Sequence, residues 1–334
     1  MIKKLKRIVS TRKSEPALFP YFDEFWGKYF SEYSYGVPTL FYRSILSKQQ
    51  RQDRVDMSTL YNDHTYNAAT KVRFVCTSDT HNLTDRANFP IPYGDVLLHA
   101  GDFTQGESHQ VAHFTDWLDS LPHPIKIVIA GNHEKFLDTG MFSELDARSV
   151  VIPRLDKSCV FLEDSTAIVY GIRIFGSPWS SEYLGAQKWG FELQRGTQSA
   201  VKWSEIPSDT DILLTHGPPV GHGDLCLNGV RAGCVNLLEQ VQVRIKPKFH
   251  VLGDLQESYG VTTDGQTIFI NCCMCNEKMK PVQHPVVFDM DKKSEEMLLM
   301  SSTPAWTISD PRQHQDYLSV CRMCGFDNSL KRIK

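Results

Sequence analysis

The sequence predicts a fold of the α/β class, and two features of its pattern support this prediction. Short apolar runs with the length of buried strands alternate with segments in which apolar residues recur at helical spacing. Several of these runs end directly in clusters of Asp, His, Gly and Asn. Alternating strands and helices form largely parallel sheets, and such sheets bind ligands at the carboxyl ends of their strands. We therefore expect the polar clusters to converge on one site.

Five apolar runs are predicted to be the strands that carry polar residues to this site. These strands cover residues 72–76, 96–100, 125–130, 212–215 and 249–252. The polar residues that follow them are Asp79 and His81, Asp102, Asn132 and His133, His216, and Asp254 and Gln256. Helical spacing predicts helices over 111–121 and 235–245. A hairpin is predicted over 166–176 and further strands over 267–271, 286–289 and 297–300, more β structure than a doubly wound sheet requires.

The length of 334 residues is consistent with about two domains, or with one large domain that carries extensions. We predict an aromatic-rich N-terminal extension over residues 1–70, the α/β domain over 71–300 and a polar C-terminal tail over 301–334. Aromatic residues between positions 19 and 42 predict one or two short helices, or a strap, that packs on the domain.

The composition excludes two classes of protein. With 36 basic and 39 acidic residues the formal net charge is −3, so the chain is not expected to bind polymeric nucleic acid through bulk positive charge. No apolar run reaches the ~18 residues that a membrane-spanning helix needs, so no membrane span is expected.

The cysteine content and the N-terminus favour a cytoplasmic protein. Nine cysteines are an odd number in a chain long enough to bury its own core, so free thiols are expected. The first 14 residues carry six basic residues and no acidic one, without the apolar region of a secretory signal. A solvated basic tail is the preferred interpretation, and a mitochondrial transit peptide is the alternative.

The polar residues at the strand ends have the chemistry of a two-metal site. Asp79, His81, Asp102, Asn132 and His216 offer carboxylate, amide and imidazole ligands, a mixture that suits Mn²⁺, Fe or Zn²⁺ better than Ca²⁺. These are too many ligands for one tetrahedral ion and enough for two ions that share a carboxylate. Two ions ~3.5–4 Å apart can activate a water and clamp a phosphate. His133 is then the candidate acid that protonates the departing alkoxide.

The ordered motifs Asp79-x-His81, Gly101-Asp102, Gly131-Asn-His-Glu134 and His216 resemble those of the calcineurin-like metallophosphoesterases. The resemblance implies a sandwich of two mixed β-sheets flanked by helices. It also implies that Asp79 and His81 bind the first metal, that Asp102 bridges both, that Asn132 and His216 bind the second and that His133 assists catalysis. The domain over 71–300 is then a metallophosphoesterase domain with two divalent ions, for which Mn²⁺ is preferred.

Further segments are similar to the metallophosphoesterase-domain-containing (MPPED) subfamily over roughly residues 71–290. They include Gly176-Ser-Pro-Trp179, Trp189-Gly-Phe191, Arg195-Gly196, the run from Asp211 to Pro219, and Val230-Arg-Ala-Gly-Cys-Val235. The subfamily resemblance implies a phosphodiesterase, with a small phosphodiester, cyclic nucleotide or other nucleotide as substrate. Trp179 and His222 are the candidate substrate contacts. The oligomeric state, monomer or weak dimer, stays open.

The sequence departs from the family pattern at its last motif. The family has Gly-His-x-His there, with one His for each metal, whereas this chain has Gly253-Asp-Leu-Gln256. Asp254 still offers an anionic oxygen, but Gln256 offers a neutral one, so these two residues are either altered ligands or simple surface residues, and we expect a weakened first metal site. The leading hypothesis is a phosphodiesterase of low activity. The alternative is a catalytically impaired pseudoenzyme that binds nucleotide or metal and acts through partners.

A third hypothesis rests on two pairs of cysteines. Cys272 and Cys275, with Cys321 and Cys324, have the spacing of a structural zinc site. Cys272 directly ends an apolar strand, which favours buried free thiols instead.

Overall fold

The computed structural model describes residues 52–141, 145–182, 188–294, 297–300 and 306–308. The predicted helices or strap between positions 19 and 42 therefore lie outside the described residues. The described chain forms two large mixed β-sheets and one two-stranded sheet, with helices between the strands.

The first large sheet has five strands, and residues of these strands are predominantly buried. Its strands are β2 (Lys71–Thr77), β3 (Val96–His99), β4 (Ile125–Ile129), β5 (Val160–Leu162) and β14 (Val286–Asp291). The spatial order is β14-β2-β3-β4-β5, in which β14 runs antiparallel to β2 and the other pairs are parallel.

The second large sheet has nine strands. They are β1 (Asp53–Arg54), β6 (Ser165–Val169), β7 (Ile172–Ser177), β10 (Ile212–Thr215), β11 (Phe249–Leu252), β12 (Gly260–Thr263), β13 (Ile268–Asn271), β15 (Met297–Met300) and β16 (Trp306–Ile308). The spatial order is β1-β12-β13-β11-β10-β7-β6-β15-β16, with a parallel centre of β13, β11, β10 and β7 and antiparallel strands at both sides. The small sheet pairs β8 (Ser180–Ser181) with β9 (Glu192–Leu193).

The helices are α1 (Val111–Ser120), α2 (Leu145–Ser158), α3 (Thr197–Ser204) and α4 (Val235–Glu239). Helix α4 continues as π-helical turns over Gln240–Ile245. Short 3₁₀ turns occur at Met57–Thr59, Thr84–Arg86, Ser108–Gln110, Lys135–Leu137 and Gln256–Ser258.

The core forms three layers because successive side chains of a strand point to opposite faces of its sheet. In β2, Phe74 faces the nine-stranded sheet and packs in the apolar cluster between the two large sheets. Its neighbour Val75 points the other way and packs with residues of helices α1 and α2. On the outer side of the nine-stranded sheet, Leu213 and Phe269 pack with Trp203 of α3 and with residues of α4. The order is helix, sheet, sheet, helix, which confirms the predicted α/β sandwich of two mixed β-sheets flanked by helices.

The strands predicted from apolar runs are present with ends within one or two residues of the prediction, and so are both predicted helices and the hairpin of β6 and β7. The nine-stranded sheet also includes residues on both sides of the predicted 71–300 domain. Strand β1 pairs with β12, and strand β16 pairs with β15. The domain boundaries stay predictions.

Candidate metal centre

The polar segments after β2, β3 and β4 of one sheet meet those after β10 and β11 of the other. Backbone hydrogen bonds hold these segments together: Asp79 N donates to Gly101 O (2.9 Å), His81 N to Asp102 O (3.0 Å) and Gly253 N to His216 O (3.0 Å). Between the sheets, His216 Nδ1 lies 2.8 Å from Ala100 O and Asp254 N donates to Asp79 Oδ2 (3.1 Å). The predicted convergence of strand ends is therefore found, and it joins two sheets rather than one.

Asp102 lies at the centre of this cluster, with its two carboxylate oxygens directed to different imidazoles. Oδ1 is 3.4 Å from Nε2 of His216, whereas Oδ2 is 3.9 Å from Nε2 of both His81 and His133. Two groups of potential ligands result, one of His81, Asp102 and His133 and one of Asp79, Asp102 and His216. Within each group the ligand atoms lie within 4.8 Å of one another, so each group is compact enough to surround one ion.

Backbone carbonyls fix which nitrogen each buried histidine turns toward the centre. His216 Nδ1 is 2.8 Å from Ala100 O, and His81 Nδ1 is 3.3 Å from Thr104 O. A carbonyl only accepts, so each Nδ1 carries the proton and donates it. Nε2 of both rings therefore faces Asp102 and can give its lone pair to a metal that takes the place of a proton, which is the arrangement that orients imidazoles toward a metal.

The backbone at this centre adopts conformations that few side chains tolerate. Asp79, His81 and Asp102 have positive φ values of 51°, 43° and 57°. Such left-handed conformations cost energy for residues other than glycine and are concentrated at functional sites. They allow the chain to turn sharply out of β2 and β3 and aim these side chains inward.

Two glycines let the chain approach the carboxylates closely. A Cβ atom on Gly131 would lie 2.3 Å from Asp102 Oδ1, and a Cβ atom on Gly253 would lie 2.3 Å from Asp79 Oδ2. No side chain fits at either position without displacing a carboxylate.

Glu134 holds two of the polar loops together and is completely buried. Its Oε2 accepts from the backbone N–H groups of Asp102 (2.9 Å) and Gly131 (2.8 Å), and its Oε1 accepts from the N–H (2.8 Å) and hydroxyl (2.7 Å) of Thr104. Burial and the charge of Asp102 raise the pKa of Glu134, whereas these donors favour its ionised form. Glu134 therefore positions Asp102 and does not face the centre as a base.

The charges of the cluster depend on one another. Burial disfavours ionisation of Asp102, but the imidazoles of His216, His133 and His81 hold its pKa below the ordinary value. Burial opposes the protonation of His216, and Asp102 nevertheless raises the pKa of His216. A cation placed among these groups would replace the proton as the partner of the carboxylate.

The two residues of the altered last motif lie on opposite sides of the centre. Asp254 Oδ1 is 3.9 Å from His216 Nε2, and the Asp254 N–H donates to Asp79 Oδ2 (3.1 Å). Burial raises the pKa of Asp254 to about 7, and His216 opposes this. Gln256 Nε2 lies 2.9 Å from His81 Nε2 and donates to it. The amide of Gln256 therefore occupies the lone pair that His81 would give to a metal.

Asn132 joins the group around His216. In the orientation that satisfies its hydrogen bonds, the Asn132 amide nitrogen lies 3.0 Å from His216 Nε2 and 3.0–3.2 Å from the carboxylate oxygens of Asp102. The Asn132 side chain is half-buried, so it forms part of the rim of the centre.

His133 lies at the exposed edge of the cluster with 22% of its side chain accessible. The backbone N–H of His133 donates to Asp102 Oδ1 (2.9 Å). The His133 ring packs edge to face with the His81 ring, with ring centroids 4.7 Å apart. The other side of the His133 ring packs against the half-buried Trp189, with ring centroids 4.6 Å apart. Burial lowers the pKa of His133.

The two residues predicted to contact substrate, Trp179 and His222, are not part of the cluster around Asp102. The Trp179 indole N–H donates to Asp164 (2.9 Å), and its ring packs on Phe191 and Lys202. His222 is completely buried, and its Nδ1 forms a hydrogen bond with Thr262 Oγ1 (2.9 Å). The His222 ring stacks on the Phe269 ring, with ring centroids 3.8 Å apart. The role of Trp179 and His222 as substrate contacts stays a prediction. Trp189 packs against His133 at the edge of the centre, and the sequence offered no signal that distinguished it from Trp179 or Phe191.

The described cysteines are all free, and none of the groups of possible metal ligands among the described residues contains one. The Cys272 thiol donates to Leu252 O (3.4 Å), and the Cys273 thiol donates to Asp79 Oδ2 (3.1 Å). Burial and Asp79 raise the pKa of Cys273 well above its ordinary value, so it is a neutral donor. Cys321 and Cys324 lie outside the described residues, and the zinc hypothesis stays untested.

The residues of the centre fit divalent metal ions. Asp79 Oδ1 is buried and has no hydrogen-bond partner among the described residues, which is costly for a carboxylate oxygen unless a cation faces it. The donor set of carboxylates, imidazoles and an amide is suited to Mn²⁺, Fe and Zn²⁺.

Comparison with known proteins identifies the class that this fold and centre define. Residues 72–262 match the model of the calcineurin-like phosphoesterase family, which is more than half of the chain, so the chain belongs to that family. The family binds divalent metal, in agreement with the residue groups found here, and the chain is accordingly a metal-dependent phosphoesterase.

Relatives narrow the assignment to the MPPED subfamily. The chain is 44% identical over 235 residues to the human and mouse proteins named metallophosphoesterase domain-containing protein 1, which covers 65% of this chain and 71% of each relative. It is 39% identical over 279 residues to a UPF0046 protein of Caenorhabditis elegans, covering 76% of this chain and 67% of that protein. A solved structure of a phosphopantetheinyl hydrolase from Mycobacterium tuberculosis matches at 13% identity with a TM-score of 0.43, over 65% of this chain and 95% of that one.

Among the described residues, every helix is too short or too polar to cross a lipid bilayer.

Proposed function

We propose that the protein is a two-metal phosphodiesterase that acts on small phosphodiesters, with nucleotides and cyclic nucleotides as the favoured substrates. The observation that carries the proposal is that the two carboxylate oxygens of Asp102 face different imidazoles. One of its oxygens faces His216 and the other faces His81 and His133, at 3.4–3.9 Å, which is the arrangement expected of a carboxylate shared by two ions.

Each ion is assigned its own ligands in this proposal. Asp79 belongs to the compact group around His216, but its Oδ1 is also 3.8 Å from His81 Nε2. Asp79 Oδ1, His81 Nε2 and Asp102 Oδ2 would therefore hold the first, with the Gln256 amide beside them. Asp102 Oδ1, His216 Nε2, Asp254 and, once the amide has rotated, the side-chain oxygen of Asn132 would hold the second. When bound, the ions supply the positive charge that lowers the pKa of water and balances the charge on the phosphoryl oxygens. Mn²⁺ is the proposed ion, with Fe and Zn²⁺ as alternatives.

A side chain of the protein supplies the proton that the leaving group needs. Hydrolysis forms a bond from the oxygen of water to phosphorus and breaks the ester P–O bond, and the departing alkoxide needs a proton. His133 is the proposed donor, because it is the partly exposed imidazole of the cluster and contacts both His81 and Trp189. The Asp102 oxygen at 3.9 Å from His133 Nε2 favours the charged ring and so helps it to regain the proton.

Two features support the substrate class. The three carboxylates of Asp79, Asp102 and Asp254, with two divalent ions, leave about one net positive charge when all are ionised. This matches the single negative charge of a phosphodiester better than the double charge of a phosphomonoester. Trp189, half-buried beside His133, offers an aromatic face on which a nucleobase can stack.

The proposal is tested by hydrolysis of bis-p-nitrophenyl phosphate and of 2′,3′-cyclic nucleotides with added Mn²⁺. We expect Mn²⁺-dependent turnover that falls about 100-fold or more in Asp102→Asn, since a shared ligand is lost. Asp116→Asn is the matched control, because Asp116 is an exposed carboxylate paired with Arg154, and it should keep wild-type activity. Turnover that does not need metal, or that survives Asp102→Asn, would contradict the proposal.

The second candidate is the catalytically impaired pseudoenzyme, which is favoured by the contact of Gln256 with His81 Nε2. The double substitution Asp254→His with Gln256→His distinguishes the two. An active wild type that becomes faster in the double variant supports the phosphodiesterase. An inactive wild type with recovery in the double variant supports the pseudoenzyme, and no activity in either contradicts both the site assignment and the reaction.

A further inference from the structure

Among the described residues, hydrogen bonds are donated to only one of the two carboxylate oxygens of Asp79. Its Oδ2 accepts the backbone N–H of Asp254 (3.1 Å) and the thiol of Cys273 (3.1 Å). Its Oδ1 is buried and has no hydrogen-bond partner in the described part of the chain. Two donors on Oδ2 therefore fix the rotation of the carboxylate and leave Oδ1 to face the centre.

Cys273 reaches Asp79 because the segment after β13 runs alongside the segment after β2. Ser78 and Cys273 form an isolated parallel bridge, with hydrogen bonds from Ser78 N to Cys272 O (3.0 Å) and from Met274 N to Ser78 O (2.8 Å). This bridge lies at the seam between the two large sheets. The thiol thus links the last parallel strand of one sheet to the first strand of the other, with both residues completely buried.

We propose that Cys273 is a positioning residue of the metal centre: its thiol donates to Asp79 Oδ2 and thereby directs Oδ1 toward the first ion. The inference rests on the proposed function for the presence of that ion. Cys273 itself is neither a ligand nor in contact with substrate. Without its hydrogen bond the carboxylate keeps one donor, from the backbone of Asp254, and gains rotational freedom that ion binding must then remove.

The test compares substitutions that leave similar volumes. Cys273→Ser keeps a donor and Cys273→Ala removes it, so the two differ in the hydrogen bond and by the volume of one hydroxyl group. Cys272→Ala is the matched control, because Cys272 is also completely buried but its thiol contacts the carbonyl of Leu252. The readout is binding of Mn²⁺ alone by isothermal titration calorimetry, with urea unfolding measured in parallel.

We expect Cys273→Ala to weaken Mn²⁺ binding by about 10-fold or more, the usual effect of losing a partner of a metal ligand. Cys273→Ser should bind within about threefold of wild type, and Cys272→Ala should bind as wild type does even where both alanine variants unfold more easily. If Cys273→Ala does not fold, Cys273→Val, which also lacks a donor, replaces it in the same comparison.

Wild-type affinity in the variant without a donor would overturn the inference, and so would equal weakening in Cys272→Ala or equal weakening in Cys273→Ser and Cys273→Ala. A wild-type protein that binds no Mn²⁺ would overturn it as well. A wild type that binds Mn²⁺ but hydrolyses no phosphodiester would contradict the proposed function and leave the effect of Cys273 on binding intact, so the two failures are distinguishable.

Discussion

At the scale of single residues, the centre depends on side chains that hold others in place. Carbonyls fix the tautomers of His81 and His216, and Glu134 ties the loop of Asp102 to the loop of Gly131. Such partners matter because a ligand that is already oriented loses less entropy when the ion binds.

Glu134→Gln tests this role. One of the two carboxylate oxygens becomes an NH₂ group that faces two donors, so two hydrogen bonds are lost and buried N–H groups stay unpaired. We expect the free energy of unfolding to fall by about 1–3 kcal/mol and Mn²⁺ binding to weaken. Urea unfolding and calorimetry measure the two effects.

The control for Glu134 is Glu163→Gln. Glu163 is half-exposed and pairs with Arg148, an interaction worth about 0–1 kcal/mol. An unchanged stability and metal affinity in Glu134→Gln, or equal losses in both variants, would contradict the positioning role.

The sequence predicted most of the residues that meet at the centre, because each of them directly follows an apolar run. Strand ends are visible as a change from apolar to polar residues, and their convergence follows from the α/β class. The contacts of Cys273 with Asp79 and of Trp189 with His133 were not predictable in this way. They join residues 194 and 56 positions apart without a periodic pattern, and they depend on how two sheets meet.

At the scale of elements, the turns that leave the strands decide where the ligands lie. Positive φ values at Asp79, Asp102 and Asp254 bend the chain sharply after β2, β3 and β11. The turn after β11 brings Gly253 so close to Asp79 that the Asp254 N–H can bond to Asp79 Oδ2.

Gly253→Ala tests this close approach. The added methyl group would lie 2.3 Å from Asp79 Oδ2 and 2.6 Å from Ser78 Oγ, so the turn or the carboxylate has to move. We expect Mn²⁺ affinity to fall about 10-fold or more and the free energy of unfolding to fall by about 1–3 kcal/mol, measured by calorimetry and urea unfolding.

Gly140→Ala is the matched control for this substitution. Gly140 is exposed, and its added methyl group would lie 3.1 Å from the side chain of Asp138, so wild-type metal affinity is expected there. Wild-type affinity in Gly253→Ala as well would show that the turn does not set the position of Asp79.

Some elements were missed by the pattern of the sequence, for physical reasons. Helix α2 contains Pro153, which breaks the ordinary helical signal and removes one backbone donor. Strands β1, β5, β8 and β9 have only two or three residues, too few to show an alternation. Their formation depends on neighbouring strands that the local sequence does not reveal.

At the scale of the whole molecule, the two large sheets bury polar groups as well as apolar ones. His250 of β11 is completely buried, with Nε2 2.8 Å from Thr215 Oγ1 and its ring beside Phe269. Burial, and to a smaller extent the neighbouring His222, lowers the pKa of His250 to about 3. His222 itself has a pKa lowered to about 4 by burial, with Asp264 opposing and Arg231 supporting this.

The fold should therefore lose stability in acid. In the unfolded chain His250 binds a proton below its ordinary pKa of about 6.5, whereas in the folded state it stays neutral down to about 3. The contribution of His250 to the free energy of unfolding is fully present above pH 6.5 and decreases as the pH falls toward 3. At pH 5 the loss is about 2 kcal/mol for this one residue. Urea unfolding at pH 7.5 and pH 5.0 measures the difference.

His250→Gln keeps a polar side chain beside Thr215 but cannot titrate. Its loss of stability between the two pH values should be smaller than that of the wild type by about 2 kcal/mol. An equal loss in both proteins would assign the acid sensitivity to other groups.

The central claim concerns the molecule as a whole: two sheets bring their strand ends together so that Asp102 is shared by two cations. Anomalous diffraction at the manganese edge, from crystals equilibrated with Mn²⁺, tests it most directly. The account predicts two peaks in contact with Asp102, a strong one beside His216 and a weaker one beside His81, where Gln256 has to give way. Crystals with fewer than two manganese peaks in contact with Asp102 would contradict the account.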